Sequence, residues 1–232
     1  VAAASRMARM ATAGRSFLTE APYTANFLVE ADGRDALAAR LDAIRRRVGA
    51  AGEEVAPTMA DVVRATPFPP PMVLGPGGRR LLPLHVVLPH SRVEAFHAAL
   101  EALREREAAA FEAHRVLLFV VFAGVGRSAL LYEPVIYWED EWNALQRATM
   151  PPALLAQMSE AAGNPAAREY VESLRRRIVA LMLEHRGAHL QIGRAYPYLE
   201  GRPAPFLALL HALKRQTDPA GIINPGALGL AP

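Results

Sequence analysis

Leu81-Leu82-Pro83-Leu84-His85-Val86-Val87-Leu88 is followed directly by Pro89-His90-Ser91, and then by Val93, Phe96, Ala99, Leu100 and Leu103. The first run is apolar and of strand length. The second places its apolar residues three and four apart, the spacing of one helical face. Ser91 with Glu94 three residues later forms a capping box, so a helix is expected from there to about Phe111. Val116 to Phe122 predicts another strand, Gly124 to Gly126 a turn, and Ala129 to Trp138 a further strand. Upstream, Tyr23 to Glu30 alternates as a strand would, Asp32-Gly33 makes a turn, and Leu37, Leu41, Ile44 and Val48 mark a helix over Arg34 to Val48. The order β-α-(long connection)-β-α-β-β predicts an α+β fold: a ferredoxin-like antiparallel sheet with helices on one face.

Downstream, residues 139–186 read as mainly helical. Asn164-Pro165 starts a helix through Tyr170, Leu174, Ile178, Leu181 and Met182, with Gly187 as its expected C-cap. Ala188 to Ile192 reads as a strand and Pro203 to Gln216 as a last helix. The organisation expected is a lead-in segment over 1–22, a principal domain over 23–200, and a C-terminal helix and tail over 201–232. The connection over 49–80 holds Thr66-Pro67-Phe68-Pro69-Pro70-Pro71, which favours an extended polyproline-like path.

Composition narrows the function classes. The chain has 232 residues, 52% hydrophobic and 21% charged, an ordinary globular balance. Its longest apolar run, Val116 to Val125, is too short to span a bilayer, so no membrane partner is expected. No signal-peptide pattern opens the chain, and a cytoplasmic location is the expectation. There is no cysteine, which removes disulfides, thiolate metal sites and cysteine nucleophiles. Lys214 is the single lysine, and the arginines interleave with acids, as in Arg104-Glu105-Arg106-Glu107. Without a basic face there is no case for nucleic-acid binding.

The usual catalytic motifs are also missing. Gly75-Pro76-Gly77-Gly78 follows a proline-rich segment and precedes a strand, the wrong setting for a dinucleotide cradle. His185 and His189 are four apart but straddle Gly187, so they do not share a helical face for a metal. No Gly-x-Ser-x-Gly elbow supports serine hydrolysis. What remains is two segments that mix aromatic and polar residues beside expected strands: Tyr132-Glu133-Pro134-Val135-Ile136-Tyr137-Trp138 and His189-Leu190-Gln191-Ile192-Gly193-Arg194-Ala195-Tyr196. On a strand over 189–192, His189 and Gln191 would share one face. Polar groups beside aromatic walls suit a small-molecule pocket; an ordinary half-exposed sheet suits them equally.

Three stretches together resemble the vanillyl-alcohol oxidase and para-cresol methylhydroxylase group of FAD-linked oxidases. They are Thr66-Pro67-Phe68-Pro69-Pro70 through Gly75-Pro76-Gly77 to Leu82-Pro83-Leu84-His85-Val86-Val87-Leu88-Pro89-His90-Ser91; Glu133-Pro134-Val135-Ile136-Tyr137-Trp138; and His189-Leu190-Gln191-Ile192-Gly193-Arg194 with the terminal Asp218-Pro219-Ala220-Gly221-Ile222-Ile223-Asn224-Pro225-Gly226. The resemblance implies the C-terminal cap, or substrate, domain of a flavin oxidoreductase. Its tail would pack against a flavin-binding domain of the same protein or of a separate subunit. The implied reaction is hydride transfer from a small organic substrate, aromatic or hydroxylated, to FAD. Gly77-Gly78-Arg79-Arg80 stands where some relatives carry a covalent flavin link, so the FAD is expected to be non-covalent. The resemblance assigns Tyr137, His189 and Arg194 as catalytic, His85, Glu133 and Gln191 as substrate-binding, and Asn224 and Tyr196 as cofactor-binding. No metal is expected, and a homodimer is a further expectation. The competing reading is a stand-alone ferredoxin-like binding module without catalysis.

Overall fold

The computed structural model describes residues 21–55, 78–191 and 193–230. The expectations for the lead-in segment, for the proline- and glycine-rich connection over 56–77 and for Ile192 fall largely or wholly outside the described residues. The chain divides into two compact units, Val1–Pro69 and Pro70–Pro232.

In the first unit the expected helix is present as α1 (Arg34–Val48), followed by a 3-10 turn at Gly49–Ala51. Arg45 in its last turn donates to Glu54 at 2.8 and 2.9 Å and to Asp42 at 2.9 Å, where a cation also favours the helix C-terminus. Residues 23–30 do not form the expected strand. The unit has no second strand among its described residues, and an extended segment becomes a strand only when a ladder pairs its backbone.

The second unit is α+β, built on a five-stranded antiparallel sheet. Its elements are β1 (Arg79–Pro83), β2 (Val86–Pro89), α2 (His90–Arg106), α3 (Ala108–His114), β3 (Leu117–Val125), β4 (Ala129–Glu139), α4 (Ala144–Thr149), α5 (Pro152–Leu155), α6 (Pro165–Glu184), β5 (Ala188–His189) and α7 (Ala204–Thr217). β4 is the axis of the sheet. β3 pairs along one side of it, Leu117 opposite Tyr137 through Val125 opposite Ala129. β1 and β2 pair along the other side in one continuous register, Arg79 opposite Glu139 and Pro89 opposite Ala129. The single strand expected over 81–88 is therefore one strand in path, interrupted at Leu84-His85. The interruption has a covalent cause: Leu84 N–H still donates to Pro134 O at 2.9 Å, but Pro134 has no N–H to return. β5 adds outside β2, with His189 opposite Val86.

Alternation along these strands sends one set of side chains into the core. Leu84, Val86, Leu88, Leu118, Tyr132 and Ile136 are buried with Phe96, Leu100 and Leu103 of α2 and Val171, Leu174, Ile178 and Met182 of α6. Phe96 meets Tyr132 edge-on at 4.8 Å. Ser91 is not the N-cap: α2 begins at His90 behind Pro89, whose extended backbone supplies the entry without a side-chain cap. The helix expected to reach Phe111 in one piece is broken at Glu107, and α3 continues beyond the break. α6 is capped as expected by Asn164, which accepts from Ala167 N–H at 3.1 Å.

The C-terminal end of α6 differs from expectation. The left-handed residue is Arg186 (φ 55), not Gly187. Gly187 N–H donates to Met182 O at 2.9 Å and Arg186 N–H to Leu183 O at 2.9 Å, the Schellman pattern. Gly187 is required for a different reason. A Cβ there would lie 2.1 Å from Val86 Cγ2, so only glycine lets the chain leave α6 and reach the edge of β2.

Beyond β4 the chain is held by Asp140, which is 1% exposed. Its carboxylate accepts from Arg168 at 2.5 and 2.8 Å and from the backbone N–H groups of Glu141 and Asn164, each at 2.9 Å. The Arg168 guanidinium holds this carboxyl well below the usual range. A carboxylate whose pKa is depressed on folding stabilises the fold above about pH 4 and loses that contribution as pH falls. Asp140→Asn is expected to lower stability by about 1–3 kcal/mol near neutral pH. Arg168 is half-exposed, which keeps the figure modest. In denaturant titrations the gap between wild type and variant should narrow below about pH 4; a gap independent of pH would refute this account of the carboxylate.

Candidate functional site

The sheet has one face covered by α2 and α6 and a second face whose β3 edge is exposed while its central Val135 is buried. The registers place its residues in rows: Leu117, Tyr137 and Leu81; Phe119, Val135 and Pro83; then Val121 and Glu133, with His85 beside them. On the edge strand, Leu117, Phe119 and Val121 are 53%, 54% and 49% exposed. Phe119 meets Tyr137 edge-on at 5.5 Å. The exposed part of this face is an apolar, partly aromatic strip along β3.

One polar pair interrupts the face. His85 Nε2 lies 3.3 Å from Glu133 Oε1, with both side chains mostly buried. His85 Nδ1 is buried and meets no partner among the described residues. Tyr137, Glu133 and His85 are thus brought together, as residues of one face.

His189 and Tyr196 form a second group at the other strand edge. Their rings stack at 4.4 Å, and both ring nitrogens of His189 are buried without a partner among the described residues. Burial, and then the charge of Arg202, lowers the His189 pKa. The Tyr196 hydroxyl accepts from His85 N–H at 2.6 Å, which ties this group to the first through the backbone. Burial raises the Tyr196 pKa, so the phenol stays protonated. The strand ends at His189, however, and Gln191 is exposed beyond it. The expectation that His189 and Gln191 share a strand face fails, because only Ala188 and His189 have β2 alongside to pair with.

Arg194 and Asn224 form the third group. Arg194 is exposed, and its guanidinium donates to Pro225 O; Leu228 N–H donates to Gly193 O at 2.7 Å. Asn224 is exposed and left-handed (φ 45), and its carbonyl accepts from Ala227 N–H at 3.0 Å. Arg194 therefore anchors the tail. The turn before it is built on Asp218, 7% exposed, which accepts from Lys214 and from the N–H groups of Ile222 and Ile223 at 3.0 and 3.1 Å. Lys214 also donates to Ile223 O at 2.6 Å. The single lysine thus serves the tail motif. The same clamp holds Ile222 and Ile223 outward, 77% and 56% exposed, and α7 exposes Phe206, Leu209 and Leu213 at one-face spacing.

The fold also exposes features that the sequence pattern did not single out. Tyr170 donates to Glu107 at 3.0 Å, stacks on His114 at 4.7 Å, and is pushed up to about 12 by burial and then by Glu107. Trp138 lines a cavity of about 670 Å³ at one end of the sheet. Neither was legible, because the partners on other elements are 20 to 63 residues apart in the chain. Among the described residues, no cluster of three or more His, Asp or Glu is placed to hold a metal, and no helix is long and apolar enough to cross a membrane.

Compared with known proteins, the chain matches no family model, no curated protein and no solved structure.

The tail clamp yields a direct expectation. Lys214, chiefly, holds the Asp218 carboxyl below its ordinary range, so the clamp persists above that range and loosens as pH falls through it. Asp218→Asn should speed amide exchange at Ile222 and Ile223 severalfold while leaving core amides such as Ile178 unchanged. Equal exchange in variant and wild type would show that the clamp does not order the tail.

Proposed function

We propose that this chain is the cap, or substrate, domain portion of an FAD-dependent oxidoreductase, and that the sheet face with the exposed β3 edge meets the flavin and the substrate. The observation that carries the reading is that face. Chains that fold alone rarely leave neighbouring large apolar side chains like Leu117, Phe119 and Val121 about half exposed along one strand. The β-α-β-β-α-β path of the second unit, with β5 and β3 at the edges, supports a ferredoxin-like arrangement of the kind the motif resemblance implies.

The residues present fit a planar ring system. Apolar and aromatic side chains give a ring an apolar surface, and the His85–Glu133 pair gives it a polar contact. The flavin, when bound, supplies the acceptor for a hydride leaving a substrate C–H bond. The chain's own residues do the rest. Tyr137 and Phe119 fix the plane of the bound ring and exclude water from it. His85, held by Glu133, takes the proton that a hydroxylated substrate releases. Asn224, presented on the turn that Lys214, Asp218 and Arg194 hold, faces the flavin-binding domain together with Ile222, Ile223 and α7. FAD is held non-covalently and mainly by that domain. His189 and Tyr196 position His85 through its backbone.

Flavin content and association test the proposal. Purified alone, the chain should retain no stoichiometric FAD. Produced together with the flavin-binding half encoded with it, it should give a yellow complex whose FAD leaves on denaturation. Phe119→Glu, at an exposed position, should abolish the complex at less than about 1 kcal/mol cost to the chain's own stability. If no flavin-binding half is encoded in frame or beside it, or if Phe119→Glu associates as tightly as wild type, the binding-module reading replaces this one.

A further inference from the structure

We propose that the cavity walled by Trp138, at the end of the sheet nearest the start of β3, is a binding site for an aromatic carboxylate. The site does not depend on the flavin reading and shares Leu117 and Tyr137 with the surface described above.

The cavity measures about 670 Å³, within the roughly 300–1,000 Å³ range of small-molecule sites. Its walls include Phe111 of α3, Val116 just before β3 and Leu118 within it, Tyr137 and Trp138 at the end of β4, and Arg79 of β1. Phe111, Trp138 and Val116 belong to or pack on the core, so the apolar wall is held in place by the same contacts that hold the fold.

The second observation concerns hydrogen bonding. Trp138 Nε1 is buried and meets no acceptor among the described residues. An indole N–H is a donor only, and leaving it unmet in the interior is costly. Residue Trp138 lies opposite Arg80, on the helix-covered side of the sheet, so its ring stands between the core and the cavity. The group it calls for is an acceptor on a molecule that otherwise prefers apolar walls.

Charge selects the kind of acceptor. Arg79, Arg104 and Arg115 line the rim together with Glu105, Glu112 and Glu139. Arg104 is held by Glu101 at 2.8 Å, whereas Arg79 and Arg115 have no ion-pair partner among the described residues. A carboxylate satisfies the indole N–H and one free guanidinium at once; an ammonium meets the rim glutamates but leaves the indole N–H unmet. The apolar wall then takes the ring. A neighbouring cavity of about 660 Å³ also touches Arg79 and Trp138, but it is lined by Asp140, Glu141, Asn143, Gln146 and Arg168 and offers a ring little apolar wall.

The chain reports on its own site, because Trp138 and Trp142 are its two tryptophans. The chain is titrated with 3-phenylpropionate, with phenethylamine as the cationic counterpart. Tryptophan fluorescence and calorimetry are both read. Saturable binding of the acid, with phenethylamine at least about tenfold weaker, is expected. Trp138→Phe keeps an aromatic ring but removes the donor, and by calorimetry should bind about tenfold more weakly. Arg115→Gln, at an exposed position that leaves the fold intact, should weaken binding severalfold. Trp142→Phe should bind as wild type does and retain the fluorescence change. The proposal is overturned by absence of saturable binding in the unmodified chain. It is equally overturned by wild-type affinity in both Trp138→Phe and Arg115→Gln, by a preference for phenethylamine, or by loss of binding in Trp142→Phe alone.

Discussion

Every part of the second unit hangs on β4. Its eleven residues carry two ladders at once, β3 on one side and β1 with β2 on the other, and each ladder keeps a single register from end to end. Because side chains alternate with period two, that double pairing decides the orientation of three strands together. A slip of one residue would turn Tyr132 and Ile136 out of the core and Glu133 and Tyr137 into it. Pro134 marks the one place where the ladder lapses, and the lapse costs little because Leu84 still finds the Pro134 carbonyl.

From this follows the two-sided character of the unit. The Tyr132 face is closed by Phe96 of α2 and by the apolar stripe of α6, and Gly187 allows the chain to return against Val86 without a clash. On the Tyr137 face the β3 edge stays open, with Leu117, Phe119 and Val121 each about half exposed. Apart from the His85–Glu133 pair, the ion pairs that fasten the chain sit at the ends. Asp140 with Arg168 fastens the end of β4 to the start of α6, and Asp218 with Lys214 fastens the tail. Both carboxylates accept from backbone N–H groups as well as from a cation, so each organises a chain turn as well as an ion pair. These are the structural means by which apolar surface and functional groups are held in fixed positions beside one another.

Much of the layout was readable in the residues. The helices over 34–48, 165–184 and 204–217 follow from apolar spacing, and Asn164-Pro165 marks its helix start by chemistry that needs no tertiary partner. Strands β3 and β4 follow from apolar runs around a glycine turn. The failures share a cause. Ser91 has the chemistry of an N-cap but the chain enters α2 from an extended Pro89, two residues too early for it to act. Residues 23–30 alternate like a strand but find no ladder in their unit, and the strand expected to Ile192 ends at His189 where β2 runs out. Pairing is a property of two segments, and a periodicity in one of them does not supply the other.

The candidate site divides in the same way. The sequence by itself determined which residue types were available: an α+β chain without cysteine, a single lysine, histidines at 85 and 189, aromatic residues at 137 and 196, and a tail closed by Asn224-Pro225-Gly226. Tertiary structure alone decided which of them meet. It put His85 beside Glu133 across the interrupted ladder, stacked His189 on Tyr196, turned Arg194 to the carbonyl of Pro225, and left Gln191 in solvent. It also placed the Trp138 indole against a cavity that no local pattern signals. The physical reason is that local spacing along a chain fixes which face a side chain takes on its own element. The distance between two such faces is set by pairing and packing between residues tens of positions apart.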